Sequence, residues 1–460
     1  MVVLPISLAY GVLTGLGPVA GIYSAIAVGF FAALFGGVRS QISGPTGPMT
    51  LATIVILASG VDNVGDVFAI VALAGLIQIF AGVIRSGHVA HQVPESVISG
   101  FMTGIGIFVI LLQVAPFVGA PVVLGGITKV IGSLPATMAS ANPKAIVVAG
   151  VTLLTGVLWP EGLRKYLPPP LAAMTIGFIL ALSWSNDLRL IGEVSLSLPK
   201  WQLPTLFQAL TPEQERVRHW VVYLTHAMTL ATVGSIDSLM NARMADGMNA
   251  RMADGTTKSR HRPNRELIAQ GVGNIAAGLI GGLPGSANTA ATVANIRSGG
   301  KRKIAGVFCA LTLLTLALSP GWLVEHIPIA MLAGVLVKVG WDLIDWQGLL
   351  KYARHVRPKY LLLTMLNGLF TAFLAVWFHP ITATGMGSVL PSTANARFQK
   401  RFPWVRTCRQ EHYELSLMVL AVALTVFASL LATAWVGLVF SLTPGEPWQT
   451  EELQRNSNHV

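Results

Sequence analysis

The sequence predicts an all-α, polytopic membrane protein, and three observations predict it: a shortage of charge, recurrent apolar stretches, and basic loops that alternate along the chain. Of 460 residues, 53% are hydrophobic and only 11% are Asp, Glu, Lys or Arg, against about 25% charged residues in a typical soluble domain. Ionisable groups are costly at the centre of a bilayer, so a chain living there sheds them. Apolar runs such as Val67–Ile84, Ser99–Phe117, Ala145–Leu158 with its flanks and Ile304–Leu318 recur along the sequence, and a spanning helix needs about 20 such residues. Lipid offers backbone groups no partner, and no run of short alternating strands is present, so the spans are helical.

The expected helices run in order over 1–16, 19–37, 45–60, 65–87, 95–119, 144–160, 169–185, 220–245, 264–282, 287–297, 303–320 and 327–345. Apolar stretches at 361–378 and 414–441 follow. Met1–Ala9 enter an apolar segment with no charged n-region or cleavage motif, which is not a signal peptide and reads as a first helix entered partway. The polar gap 186–219 carries Pro199, Pro204 and Pro212 and reads as an external loop with short elements.

The formal net charge is +11, and its placement gives an orientation. Arg39, Arg85, Arg164 with Lys165, Lys258–Arg265, Arg297–Lys303 and Lys351–Lys359 mark every second loop, whereas intervening loops hold Asp62, Asp66, Glu213, Glu215 and Glu325. This is the positive-inside pattern, which places the basic loops in the cytoplasm. It sets nucleic acid aside as a partner. Cys309 and Cys408 form no disulfide framework or metal spacing. The chain has no His-Glu-x-x-His, P-loop or nucleophile elbow, so nothing points to an enzyme.

Two segments interrupt the helical pattern in the same way. Ser43-Gly-Pro-Thr-Gly-Pro-Met-Thr50 follows Gly36-Gly37, and Gly281-Gly-Leu-Pro-Gly-Ser-Ala-Asn-Thr289 begins with a Gly-Gly pair; each leads into a short helix. A Pro-Gly pair alone marks a loop or kink. A matched pair of interruptions in two halves points to a transporter binding site. A helix that begins inside the membrane offers free N–H groups and a positive dipole end to an anion.

The motif Ile42–Thr50 resembles the third-segment motif of the SulP (sulfate permease) transporters, which include cyanobacterial sodium-dependent bicarbonate carriers. Matching motifs follow in family order: Leu4-Pro5 with Gly15–Gly21, Val97–Gly104, Gly234-Ser-Ile-Asp-Ser-Leu239, Arg260–Leu267 with Gly271–Asn274, Asn295–Gly300 and Leu332–Trp341. The resemblance covers residues 1–360. It implies fourteen segments in two inverted sevenfold repeats, divided into core and gate domains, with an elevator-like movement of the core. It also implies a homodimer in the inner (plasma) membrane.

Substrate, a small inorganic anion, would sit between two half-helices, at Thr46, Gly47, Ser286, Ala287, Asn288 and Thr289. A sodium ion would be held by Asp237, Asn241, Ala287 and Thr289; the resemblance implies no other cofactor. Asp237 also stands out by itself, as a carboxylate in the uncharged stretch Leu230–Met240. It is an ion or proton site, or a protonated acid bonded inside the bundle to Ser235 or Thr232. His226, about three turns earlier on nearly the same face, reads as a histidine satisfied near the helix end.

The chain departs from the family pattern in several places. The family's cytoplasmic stretch and early first helix have no counterpart before Met1. Met240–Gly247 is repeated letter for letter as Met248–Gly255, which is expected to lengthen a cytoplasmic loop while Asn241 stays one turn from Asp237. Residues 361–412 look like an atypical insertion, 413–441 hold the terminal membrane segment or segments, and 442–460 form a short polar tail where a STAS domain would lie. Many bacterial members carry an arginine where this chain has Ala291. The expected function is secondary active transport of bicarbonate or sulfate, coupled to sodium or protons. The alternatives are an uncoupled exchanger or channel, a nucleobase permease of similar architecture, and a non-functional product of a damaged gene.

Overall fold

The computed structural model describes residues 3–59, 61, 63–87, 95–123, 127–163, 167–184, 186–192, 217–252, 261–318, 325–346, 348, 418–419 and 422. The insertion at 361–412, nearly all of 413–441, the tail 442–460, the three prolines of the polar gap and the basic residues Arg164, Lys165, Lys258, Arg260 and Lys351–Lys359 lie outside the described residues.

The apolar stretches become helices close to their expected bounds: α1 Val3–Thr14, α2 Pro18–Phe35, α3 Gly47–Ala58, α4 Val64–Val83, α5 Glu95–Phe117, α6 Ile127–Ala139, α7 Pro143–Leu158, α8 Pro169–Leu182, α9 Val217–Met252, α10 Pro263–Leu279, α11 Thr289–Arg297, α12 Ile304–Ala317 and α13 Ile329–Leu343. Among the described residues, Pro18–Phe35, Val64–Val83 and Ser99–Phe117 are each long and apolar enough to cross a membrane alone. Proline at the first or second position starts α2, α3, α7, α8 and α10, where its missing N–H is no loss.

Three expectations need correction. The described chain is not purely helical, because β1 (Ser43–Gly44) pairs antiparallel with β2 (Ser286–Ala287), in the register Ser43↔Ala287 and Gly44↔Ser286. An interrupted helix frees backbone groups, and each broken segment satisfies its own on the other. Next, the duplicated octapeptide does not open into a loop: α9 runs through the first copy and into the second as far as Met252. Both copies are rich in good helix formers, and Asn249 of the second copy donates to Ser40 Oγ at 2.8 Å, which gives the added turns a docking contact. Finally, α6 lies between the expected helices 95–119 and 144–160, where none was expected; it forms a bent pair with α7 at 119°.

The chain divides into two compact units, Met1–His88 with Ile105–Ile344 and Val89–Gly104 with Asp345–Val460. In the larger unit, α10 packs along α4 and α2, α12 packs on α2, and α7, α8 and α13 pack together. Glycine permits the closest approach. A Cβ on Gly75 would lie 2.5 Å from the Gly271 carbonyl oxygen, and one on Gly271 would lie 2.5 Å from that of Gly75. Small-residue contacts of this kind pack helices where no hydrophobic drive exists between them. The helix ends bearing basic residues gather at one end of this unit: Arg262 N–H reaches Gly37 O, Gly87 N–H reaches Asn264 Oδ1 and Lys303 Nζ reaches Gly36 O. In the smaller unit, Ser99 Oγ donates to Asp345 Oδ2 at 2.5 Å.

Candidate functional site

The β1–β2 ladder places the N-termini of α3 and α11 side by side, each a residue or two beyond its strand. Asp237, near the middle of α9, is 2% exposed. Its Oδ2 accepts from Ser286 Oγ at 2.5 Å and Thr46 Oγ1 at 3.0 Å, and the two hydroxyls are 2.6 Å apart. Neither Ser235 nor Thr232, the partners weighed from sequence, is among these contacts. Asn241, one turn on, donates to Asp237 Oδ1 at 3.1 Å and to Ala287 O at 2.9 Å, and its Oδ1 accepts from Thr289 Oγ1 at 2.5 Å. Ala287 N–H donates to Ser238 Oγ at 3.3 Å.

Thr46 is the N-cap of α3, yet its hydroxyl makes no capping bond and turns to Asp237. Asn288 caps α11 in the usual way, with Oδ1 accepting from Ala291 N–H at 3.0 Å. Gly47 opens α3; a Cβ there would lie 3.2 Å from the Tyr10 hydroxyl. All ten positions named from sequence for anion and cation therefore reduce to eight residues at one locus: Thr46, Gly47, Asp237, Asn241, Ser286, Ala287, Asn288 and Thr289. A cavity of about 990 Å³ opens there, bordered by Tyr10, Thr46, Gly47, Asp237 and Ala287–Thr289, and by Arg297, Lys338 and Asp342 farther along. Lys338 donates to Asp342 Oδ1 at 2.5 Å.

The oxygens of Asp237, Thr46, Ser286, Asn241, Ala287 and Thr289 form a donor set of carboxylate, hydroxyl, amide and carbonyl groups. Such all-oxygen sets suit a hard cation. Ala291 packs with Val3, Ala25, Ile42 and Leu313, so no side-chain cation stands at that position. His226 lies against Ser59, its Nε2 3.0 Å from Oγ, at the far end of α3 from the site.

The sequence reading passed over a buried polar stripe on α10. Glu266, Gln270 and Asn274, spaced four apart, are each at most 1% exposed. Glu266 accepts from Gly37 N–H and Gln41 Nε2, and Gln270 donates to Ser43 Oγ. Asn274 bonds both the N–H and the carbonyl of Gly285 and donates to Gln78. One helix thus holds both interrupted segments. The spacing itself, three polar residues on one face of a membrane helix, was the available signal.

The pattern of the Sulfate permease family matches residues 1–366. The chain belongs to this family. It is 41% identical over 352 residues to the "Bicarbonate transporter BicA" of Synechocystis sp., covering 75% of this chain and 59% of that protein. It is 27% identical to the "Putative sulfate transporter YvdB" of Bacillus subtilis over 75% of this chain and 63% of that one. The chain therefore spans less than two thirds of the length of these curated relatives. The structure of the transmembrane domain of a cyanobacterial BicA superposes with TM-score 0.67 at 39% identity, over 75% of this chain and 87% of that one. The murine Solute Carrier 26 family member A9 anion transporter, inward-facing, shares the fold at TM-score 0.67 and 19% identity, over 95% of this chain and 65% of that one. These sulfate permease relatives are named as transporters, not enzymes, and the chain is a multi-pass membrane protein.

Proposed function

We propose that the chain is a secondary carrier of a small inorganic oxyanion, bicarbonate ahead of sulfate, coupled to sodium through Asp237. The observation that carries this reading is the meeting of two half-helix N-termini beside one buried carboxylate. The helix ends supply positive potential and N–H donors for the anion. Asp237 opposes it: a unit charge about 5 Å away costs about 3 kcal/mol at an effective dielectric near 20. A cation seated among the oxygens of Asp237, Asn241, Thr46, Ser286, Ala287 and Thr289 cancels that repulsion. Anion and cation then enter together or not at all. The preference for bicarbonate rests on 41% identity to a bicarbonate transporter and on the apolar packing of Ala291, which leaves a dianion no extra cation there.

We further infer an elevator-like movement. The ladder and the α10 stripe tie both broken segments to one body, so the site travels with that body. Under this reading α1–α4 with α9–α12 form the core, the other helices the gate, in a seven-plus-seven inverted repeat. The assembly is a homodimer in the inner (plasma) membrane.

The test is uptake of labelled bicarbonate and labelled sulfate into proteoliposomes, with and without sodium, for wild type and Asp237→Asn. Sodium-dependent uptake of bicarbonate, lost in the variant, is expected. Uptake driven by a proton gradient and equally lost assigns the coupling ion to H⁺ instead. Uptake indifferent to sodium, protons and the mutation would overturn the coupled-carrier reading and leave an exchanger or channel.

A further inference from the structure

Away from the site, a second cavity of about 440 Å³ opens between α2, α10 and α12. Its walls, among them Ile26, Phe30, Phe31, Ala276, Leu279 and Leu311, are apolar. Phe30 and Phe31 meet edge to face at 5.4 Å, and Phe31 stacks on Phe35 at 6.2 Å, so the aromatic wall continues toward the C-terminal end of α2. Beside it Phe308 is 65% exposed and Ile304 60%. In a membrane protein such a face meets acyl chains, which by itself identifies no specific ligand.

The second observation lies at the end of that wall. Arg265 Nε donates to Phe35 O at 2.7 Å, and Lys303 Nζ donates to Gly36 O at 2.5 Å and Leu34 O at 3.3 Å. Lys303 is held below the usual lysine range, first by burial, then by repulsion from Arg265; Glu266 pulls the other way, and Arg39 and Arg262 add to the repulsion. Four cations thus surround the end of α2. Glu266, the nearby acid, is already engaged by Gly37 N–H, Gln41 and Gln270, and the ion pairs found among the described residues involve none of the four. From Phe35 to Ile26 the axis of α2 runs about 13 Å at ~1.5 Å per residue. That is close to the ~15 Å hydrocarbon depth of one leaflet.

We propose that the groove between α2, α10 and α12 and the basic cluster at its end together hold one anionic phospholipid, with an acyl chain along Phe30 and Phe31 and its phosphate met by Arg265 and Lys303. Basic pockets between membrane helices on the cytoplasmic side take anionic headgroups in this manner. Charge complementarity selects the headgroup, and the length of the groove accommodates the tail.

The test is native mass spectrometry of the full chain titrated with phosphatidylglycerol or phosphatidylcholine of identical acyl chains. Wild type is expected to retain phosphatidylglycerol at least about fivefold better, since each cation near the surface favours anionic lipid. The Arg265→Gln/Lys303→Gln double variant is expected to lose the preference but keep phosphatidylcholine binding; Ala276→Phe, which fills the groove, lowers both. Should the double variant aggregate for want of its bonds to α2, Arg39→Gln/Arg262→Gln removes two of the four cations without touching those bonds and is expected to weaken the preference. Equal retention of the two lipids by wild type, or a preference unchanged by removing the cations, overturns the proposal. So does Ala276→Phe if it dissociates an oligomer in light scattering while lipid retention stays constant, because the groove then holds a second copy of the chain.

Discussion

α3 and α11 leave the same two-residue ladder, yet their first turns are held by different groups. In α3 the cap residue Thr46 gives its hydroxyl to Asp237, and Pro48 fixes the second helical position. Proline is pre-set for a first turn, so the cap side chain is free for the site. In α11 Asn288 spends its side chain on Ala291 N–H. Thr289 turns to the site and donates to Asn241 Oδ1, but the later polar side chains face backwards: Thr292 meets Ile42 N–H at 3.0 Å and Asn295 donates to Ser40 O at 2.8 Å. α3 thus brings Thr46 alone to the cation-ligand candidates, whereas the α11 segment brings Ser286, Ala287 and Thr289 and also clamps the strand that leads into α3. Two segments that look alike in sequence thus differ in their caps: the first turns its cap side chain to the site, and the second keeps its cap side chain for positioning.

The comparison breaks most severely where the two segments touch. A Cβ on Gly285 would lie 2.6 Å from the Gly44 carbonyl oxygen, too close for backbone to yield cheaply. Gly285→Ala is expected to part the ladder at a cost of about 1–3 kcal/mol, displacing both helix ends at once. Anion uptake should fall by up to about a hundredfold, with a lower melting temperature in detergent; wild-type uptake would mean that the ladder is not needed.

Asn241→Ala comes next. It removes the side chain that joins Asp237, Ala287 and Thr289, leaving buried partners unpaired at about 1–3 kcal/mol apiece. The sodium concentration for half-maximal uptake should rise about twentyfold or more, while the α3 side, held by Thr46, stays in place. An unchanged sodium dependence would separate Asn241 from the cation.

Much of this was legible beforehand, and the residues show why. The Gly-Pro interruptions and the lone Asp237 are local signals, and local signals survive in a sequence. The site residues that the family resemblance implied lie at one locus, and helix bounds fall within a few residues of expectation except at α9, which runs on to Met252, and at α6, where no helix was expected. What was not legible was pairwise. Ser43 and Ala287 become strand partners only because two distant breaks meet, and nothing in either segment announces the other. Glu266 is an ordinary acid in Arg-Glu-Leu until Gly37 and Gln41 are placed against it. Family spacing predicts a loop for the duplicated octapeptide, whereas its own helix propensity and the docking of Asn249 on Ser40 decide the outcome.

Thr46 tests the chemical half of the comparison. Thr46→Ala deletes a hydroxyl bonded to a carboxylate, worth about 1.5–3 kcal/mol, and leaves the proline-set turn intact. Half-saturating sodium should rise about tenfold with the melting temperature little changed. Thr46→Ser, which keeps the hydroxyl, should restore most of the affinity. Equal loss in both variants would assign Thr46 to packing.

Asn288 tests the positioning half and should give the smallest effect. Asn288→Ala removes an N-cap bond worth about 1 kcal/mol, a factor of about five, and frays the first turn of α11 rather than removing a ligand. Asparagine and serine cap helices almost equally well, so Asn288→Ser should melt and transport like wild type, although its shorter side chain no longer reaches toward the Pro45 carbonyl. If the alanine variant loses thermal stability and apparent anion affinity together, and serine restores both, Asn288 acts by fixing the helix end that faces the anion. If serine restores stability but not affinity, the amide itself touches substrate.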